Sequence, residues 1–276
     1  MLLNAKTILC GIIGNPVEHS LSPAIHNAAY RESGLNYVYL AFGVNDVAGA
    51  IRGMRALNIR GLSVTVPHKI EVMAYLDEID PVARQIGAVN TVVNDQGCLK
   101  GSNTDWLGFV RSLEVYTPIQ DKRVVILGAG GAARAVAFGV KQRNGKLTIL
   151  NRTEEVTMAQ ALANELDCAW GDLTQLDAIT AADIVINATS VGMHPHVAQT
   201  IIATRHLRPA QIVYDVVYNP LETRFLREAK AVGCQVAPGY EMLLLQGVAQ
   251  FELWTGQPAP VDLMRAILKE RLTGKE

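Results

Sequence analysis

The residues best suited to chemistry begin with a glycine run. Gly128-Ala129-Gly130-Gly131-Ala132-Ala133 follows the apolar stretch ending at Leu127 and opens a helical pattern. Gly128 permits a tight turn, Gly130 lets the backbone approach a pyrophosphate, and the small Ala133 lets helix and sheet pack closely. A helix starting there aims free N–H groups and a partial positive charge at phosphates. A glycine triplet alone is weak, but the strand–loop–helix context favours a dinucleotide site over a mere tight turn. About 20 residues further on, where an NAD site carries Asp or Glu for the ribose 2′-hydroxyl, stands Asn151-Arg152-Thr153. A guanidinium and a hydroxyl suit a 2′-phosphate, because Arg grips it with paired, charge-assisted bonds. The expected cofactor is therefore NADP; the alternative is that Arg152 is a solvated loop residue.

A second set of polar residues lies earlier, at loops that follow apolar segments. Ser20-Leu21-Ser22-Pro23, Thr65-Val66-Pro67-His68-Lys69, Asn90-Thr91 and Asn103-Thr104-Asp105 offer hydroxyls, amides, a lysine and a carboxylate. Such groups suit a small polyhydroxylated acid, and open α/β sheets bind ligands at loops of this kind. Taken singly, Lys69 also reads as a helix-start surface lysine and Asp105 as an N-cap carboxylate.

The elements needed to position these groups alternate. Thr7–Gly14, Tyr37–Val44, Gly61–Val66 and Ala88–Val93 read as strands; Pro23–Ser33, Asp46–Leu57 and Lys69–Leu76 read as helices, with Ser22 and Asp46 as caps. The pattern restarts with strand Asp121–Leu127, helix Ala132–Arg143, strand Leu147–Leu150, helix Glu154–Leu166, strands Asp183–Asn187 and Ile212–Val216, and helix Glu222–Ala231. Glu241–Trp254 and Val261–Arg271 read as closing helices, and Asp105–Glu114 as the connector. The expected fold is α/β in two domains: an N-terminal parallel-sheet substrate domain and a Rossmann NADP-binding domain. The boundaries predicted are 1–105 plus 240–276 for the first and 106–239 for the second, the C-terminal helices returning to the first.

Composition bounds the alternatives. The chain has 276 residues, 49% hydrophobic and 18% charged, the profile of a globular protein with ample core. A formal net charge of −1 gives no electrostatic case for nucleic acid or an anionic membrane as partner. Cys10, Cys98, Cys168 and Cys234 form no C-x-x-C, which argues against zinc and a disulfide framework and fits a reducing compartment. The apolar run at Ile8–Ile13 is too short for a signal-peptide core or a membrane span, so a cytoplasmic protein is expected. His194-Pro195-His196 lacks a third ligand and reads as a loop rather than a metal site.

From near the N-terminus to the last helices the chain resembles the shikimate/quinate dehydrogenase family, and within it the NADP-dependent shikimate dehydrogenases. The resemblance is carried by Gly14-Asn15-Pro16 with Ser20-Leu21-Ser22-Pro23-Ala24-Ile25-His26-Asn27, by Val64-Thr65-Val66-Pro67-His68-Lys69, and by Gly87-Ala88-Val89-Asn90-Thr91. Gly101-Ser102-Asn103-Thr104-Asp105, the glycine run through Arg134, and Asn151-Arg152-Thr153 continue it. Asn187-Ala188-Thr189-Ser190-Val191-Gly192-Met193, Asp215-Val216-Val217-Tyr218-Asn219-Pro220 and Gly239-Tyr240-Glu241-Met242 through Gln246 complete it. Each block is weak alone; together in this order they are specific.

The resemblance implies reversible NADPH-dependent reduction of 3-dehydroshikimate to shikimate, on the route to chorismate and the aromatic amino acids. Lys69 and Asp105 look like the family's catalytic pair. Ser20 and Ser22 would hold the substrate carboxylate, and Thr65, Asn90, Asp105 and Gln246 the ring hydroxyls or carboxylate, with Tyr218 nearby. Gly128, Ala129, Gly130, Gly131 and Ala132, then Asn151, Arg152 and Thr153, with Val216 and Gly239, would hold NADP. An ammonium can protonate a developing alkoxide, and a neighbouring carboxylate can keep it charged. With Gln246 in the substrate site, the cleft between the domains would hold both ligands. The acidic residue often found near the cofactor after the lysine helix falls on Pro81 here, so no contact is expected there. Partners would be the small-molecule substrate alone, in a monomer or homodimer. Open alternatives are a quinate/shikimate dehydrogenase using NAD, a methylene-tetrahydrofolate dehydrogenase-like enzyme, and a nucleotide-binding regulator on the same scaffold.

Overall fold

The computed structural model describes residues 3–274. In chain order the elements begin with β1 (Ile8–Gly14), α1 (Ser22–Glu32), β2 (Tyr37–Gly43), α2 (Val47–Ala56), β3 (Gly61–Val64), β4 (Glu78–Ile79), α3 (Pro81–Ile86), β5 (Thr91–Asp95) and β6 (Cys98–Ser102). They continue with α4 (Asp105–Leu113), β7 (Arg123–Leu127), α5 (Gly131–Gln142), β8 (Lys146–Asn151), α6 (Val156–Leu166), β9 (Ala169–Asp172), α7 (Leu176–Ala181), β10 (Ile184–Asn187), β11 (Ile212–Asp215), α8 (Arg224–Val232) and β12 (Gln235–Pro238). The last two are α9 (Tyr240–Thr255) and α10 (Val261–Thr273). Two compact units result: the described residues up to Thr104 together with those from Gln246 onward, and Asp105–Leu245.

The first unit is built on a six-stranded sheet, β2-β1-β3-β5-β6-β4. Its β1, β2 and β3 run parallel, but β5 is antiparallel to both β3 and β6, so the sheet is mixed rather than wholly parallel. The cause is a tight hairpin at Gln96-Gly97, both at positive φ, a turn that turns β5 straight back into β6. The strand expected at Ala88–Val93 accordingly starts later, at Thr91. Ser22 is the first helical residue of α1 rather than its cap, which falls on Leu21 with no side-chain bond. Asp46 does cap α2, accepting from Gly49 N at 2.8 Å. Instead of a helix at Lys69–Leu76 there is a 3₁₀ turn at Glu71–Tyr75. The Lys69 carbonyl accepts from Val89 N at 2.8 Å, so it is committed outside any helical ladder. Trp254 of α9 donates from Nε1 to Val92 O at 3.1 Å, tying the C-terminal helix to β5 within this unit.

The second unit holds an all-parallel sheet, β12-β11-β10-β7-β8-β9. Numbered within the unit this is the doubly wound order of a Rossmann fold, with its reversal at β7 and β10. Alternate strand residues feed two cores. Val124, Ile126, Ile149, Ile184 and Ile186 pack against Phe109, Val136, Val140 and Leu162 on one face. Val125, Leu127, Leu150, Val185 and Val213 pack against Ile179, Phe225 and Leu226 on the other. No helix among the described residues is long and apolar enough to cross a membrane. The four cysteines are free thiols, and burial pushes Cys10 up to about 12.

Candidate active site

In the first unit, the polar residues singled out above lie at one end of the sheet. Thr65 directly follows β3, and its N–H donates to Ile13 O at 2.9 Å. Its chain neighbour Val64 donates to Asn90 O at 2.8 Å, so the end of β3 and the approach to β5 are locked side by side. The bond from Val89 to Lys69 O holds the half-buried Lys69 at the same place. Asn90 is buried and held from several sides. Its Oδ1 accepts from Thr104 N at 2.8 Å and from Thr91 Oγ1 at 2.7 Å; its Nδ2 donates to Thr104 Oγ1 at 3.0 Å and, at 3.4 Å, to Gln246 Oε1. Ser20 Oγ accepts from Ser22 N at 3.3 Å, and Ser22 is buried.

Asp105 begins α4 and Tyr218 follows β11; both fall in the second unit, and Asp105 is only 5% exposed. Burial raises the Tyr218 phenol above its ordinary value. The buried His68 meets Val44 O with Nε2 at 2.8 Å, and its Nδ1 lies 3.9 Å from Glu71.

The second unit carries the residues expected to hold the cofactor, at the C-terminal ends of its strands, where such sheets bind ligands. Gly128 follows β7 at φ +110°, and a Cβ there would stand 2.7 Å from Thr189 Cγ2. Only glycine meets both demands. Gly130 caps α5 without any side-chain bond, and the space where its Cβ would project is open. That is the arrangement a pyrophosphate needs: uncovered helix N–H groups and no side chain in front of them. Ala129 completes the turn, and Gly131 and Ala132 begin α5. After β8, Asn151 is buried and donates from Nδ2 to Glu155 O at 3.0 Å, which shapes the exposed Arg152–Thr153 corner. The Arg152 guanidinium pairs with Glu155, and that pairing lowers the Glu155 carboxyl below its usual range. Gly239 lies against the carbonyls of Asp215 and Val216, where a Cβ would approach within 2.4 Å and 2.5 Å. The residues present fit a 2′-phosphorylated dinucleotide.

Beneath this edge sits Asp215, wholly buried. Oδ1 accepts from Asn187 Nδ2 at 2.9 Å and Val217 N at 3.0 Å, and Oδ2 from Thr223 Oγ1 at 2.6 Å. Burial outweighs those bonds and pushes its carboxyl up to about 7. Sequence reasoning missed this brace and the buried Tyr39, Ser63 and Gln250 of the first unit. One signal could have found Gln250: it stands one helical turn after Gln246 in the otherwise apolar stretch Met242–Phe251 of α9. At the position where an acidic cofactor neighbour is often found, Pro81 opens α3, and the preceding Asp80 caps that helix through Ala83 N at 2.7 Å. No three His, Cys, Asp or Glu side chains among the described residues are grouped to hold a metal ion.

Residues 12–92 match the family model of the shikimate dehydrogenase substrate binding domain, residues 112–215 that of shikimate / quinate 5-dehydrogenase, and residues 239–269 that of the shikimate 5′-dehydrogenase C-terminal domain. A shikimate dehydrogenase (NADP(+)) of Moorella thermoacetica is 51% identical, over 98% of this chain and 95% of the relative. A shikimate dehydrogenase crystallised with NADP+ superposes with a TM-score of 0.92 at 44% identity, covering 98% of each chain. The enzyme of Thermus thermophilus, in complex with NADP(H) and shikimate, gives a TM-score of 0.89 at 36% identity over 96% of this chain and 99% of that one. With relatives this similar along nearly the whole length, the chain belongs to the shikimate dehydrogenase family.

Proposed function

We propose that this protein is an NADP-dependent shikimate dehydrogenase, interconverting 3-dehydroshikimate and shikimate on the route to chorismate and the aromatic amino acids. The observation that carries the reading is the assembly in the first unit of Ser22, Thr65, Lys69, Asn90 and Gln246, drawn from distant chain segments to one end of a sheet. Hydroxyls and amides of this kind match a carboxylate and ring hydroxyls. The second unit offers the uncapped α5 N-terminus and Arg152 for a pyrophosphate and a 2′-phosphate.

When bound, the reduced nicotinamide supplies the hydride. The protein's own groups do the rest. Ser20 and Ser22 would hold the carboxylate, while Thr65, Asn90 and Gln246 orient the ring. As hydride adds to the carbonyl carbon, negative charge builds on its oxygen. Lys69 would neutralise that charge and give the oxygen a proton from its ammonium; in the reverse direction the neutral amine would take the hydroxyl proton back. Asp105 would hold the ammonium and the same hydroxyl in place. Tyr218 would border the ring. Val216 and Gly239, the latter a position where a Cβ would strike backbone carbonyls, would border the nicotinamide. The protein would need no partner beyond these small molecules.

The test is a four-way assay of purified protein, with shikimate or quinate and NADP or NAD, following reduced-cofactor absorbance. Turnover of shikimate with NADP well above the other pairs is expected. Turnover of quinate with NAD alone would overturn both assignments.

A further inference from the structure

The first unit contains a buried hydrogen-bond chain that its pocket residues do not by themselves explain. Tyr39 Oη donates to Ser63 Oγ at 2.6 Å, and Ser63 Oγ donates to Gln250 Oε1 at 2.7 Å. Gln250 Nε2 donates to Thr91 Oγ1 at 2.9 Å and to Asn90 O at 3.2 Å. Thr91 Oγ1 in turn donates to Asn90 Oδ1. One end of this chain is Tyr39, held against α1, the helix that Ser22 opens; the other sets the amide of Asn90, which meets Gln246. Tyr39 itself is clamped. Asn27 bonds both its backbone N–H and its carbonyl, at 2.9 Å and 2.8 Å, and the ring of His26 stacks on its ring at 4.5 Å and 5°. His26 stays neutral, since burial lowers it to about 3.

We propose that Gln250 is a positioning residue that ties the carboxylate end and the ring-hydroxyl end of the substrate pocket into one frame and sets its hydrogen-bond polarity. This rests on the function proposed above. The backbone carbonyl of Asn90 can only accept, so it holds Nε2 of Gln250 on its side and turns Oε1 toward Ser63. Ser63 must then give its proton to Gln250 and accept from Tyr39. On the other arm, Thr91 accepts from Gln250 and donates to Asn90 Oδ1. Thr104 N, a pure donor, reinforces that orientation. Asn90 Nδ2 therefore faces Gln246 Oε1, and Gln246 meets a substrate oxygen with Nε2, as a donor. A residue with one donor end and one acceptor end is needed where the two arms join; neither a carboxylate nor an apolar side chain supplies both.

Three variants test this, with shikimate KM, kcat, NADP affinity and pH profile measured on each. Gln250→Leu removes both arms and should raise shikimate KM about tenfold, the upper range for a lost buried neutral bond, with NADP affinity unchanged. Gln250→Glu keeps the shape but loses the donor when ionised. Its kcat/KM relative to wild type should rise as pH falls and the buried carboxyl regains a proton to donate to Asn90 O. Tyr39→Phe retains the ring stack and should raise KM about threefold. Shikimate KM within twofold of wild type in all three, with a flat pH ratio for Gln250→Glu, would overturn the inference even if stability falls. A wild-type protein that does not turn over shikimate at all overturns the functional reading, and with it this one.

Discussion

The two units solve the same task, presenting polar groups to a ligand, in opposite ways. In the first, the groups are side chains sunk in the fold and held by partners far away in sequence: Asn90 by Gln246, 156 residues on, and Ser63 by Gln250, 187 residues on. In the second, the groups are backbone amides at an uncapped helix start and an exposed arginine, all within short local stretches. A substrate distinguished by its hydroxyl pattern needs preset donor and acceptor directions, because an unmatched buried polar group costs about 1–3 kcal/mol. A phosphate needs charge and N–H groups, which a turn and a helix end supply without long-range help. The first site should therefore respond to distant substitutions and the second to local ones.

The largest expected break comes at the chemistry. Lys69→Ala should lower kcat by about 10²- to 10⁴-fold with a modest change in shikimate KM, read by steady-state kinetics; a near-normal kcat would remove Lys69 from the reaction. Next is Arg152→Asp, which exchanges a paired cation for an anion before the 2′-phosphate. NADP affinity should fall on the order of a hundredfold and NAD affinity little; equal losses for both would show that Arg152 does not read the phosphate.

A subtler asymmetry lies in pH. Asp215 is raised to about 7 by burial, so the folded protein holds a proton that the unfolded chain releases at ordinary carboxylate values. The stability this gives is fully present below about pH 4 and is lost as pH rises through about 7. Asp215→Asn removes the ionisation, so its Tm relative to wild type should climb across that window; a constant difference would contradict the assignment. The smallest effect is expected from Glu155→Gln. Freed from its exposed pair, Arg152 should bind NADP about two- to threefold tighter with NAD unaffected, measured by fluorescence titration. Weaker NADP binding would instead give Glu155 a supporting role.

The same contrast explains what could be read from sequence. The turn and helix start at Gly128–Ala133 and the Asp46 cap were legible because their physics is local: a turn, a helix end, a capping oxygen. The β5–β6 hairpin was missed although Gln96-Gly97 marks it, since the apolar run starting at Ala88 drew the strand too early. Short β9 and β12 were missed because pairing with β8 and β11, not their own pattern, creates them, and the six-residue α7 is too short to show a helical period. Ser22 looked like a cap, but it is the first helical residue, one position past the cap at Leu21. Ser63 and Gln250 read as stray polar residues in apolar elements; only the fold shows that they face each other.

The most direct test of the central claim follows the hydride itself. Purified protein would receive 3-dehydroshikimate and NADPH deuterated at both C4 positions, and the product would be examined by mass spectrometry and NMR. Shikimate carrying one deuterium on the newly hydroxylated ring carbon is the predicted result. Absence of shikimate, or shikimate without that label, would contradict the account.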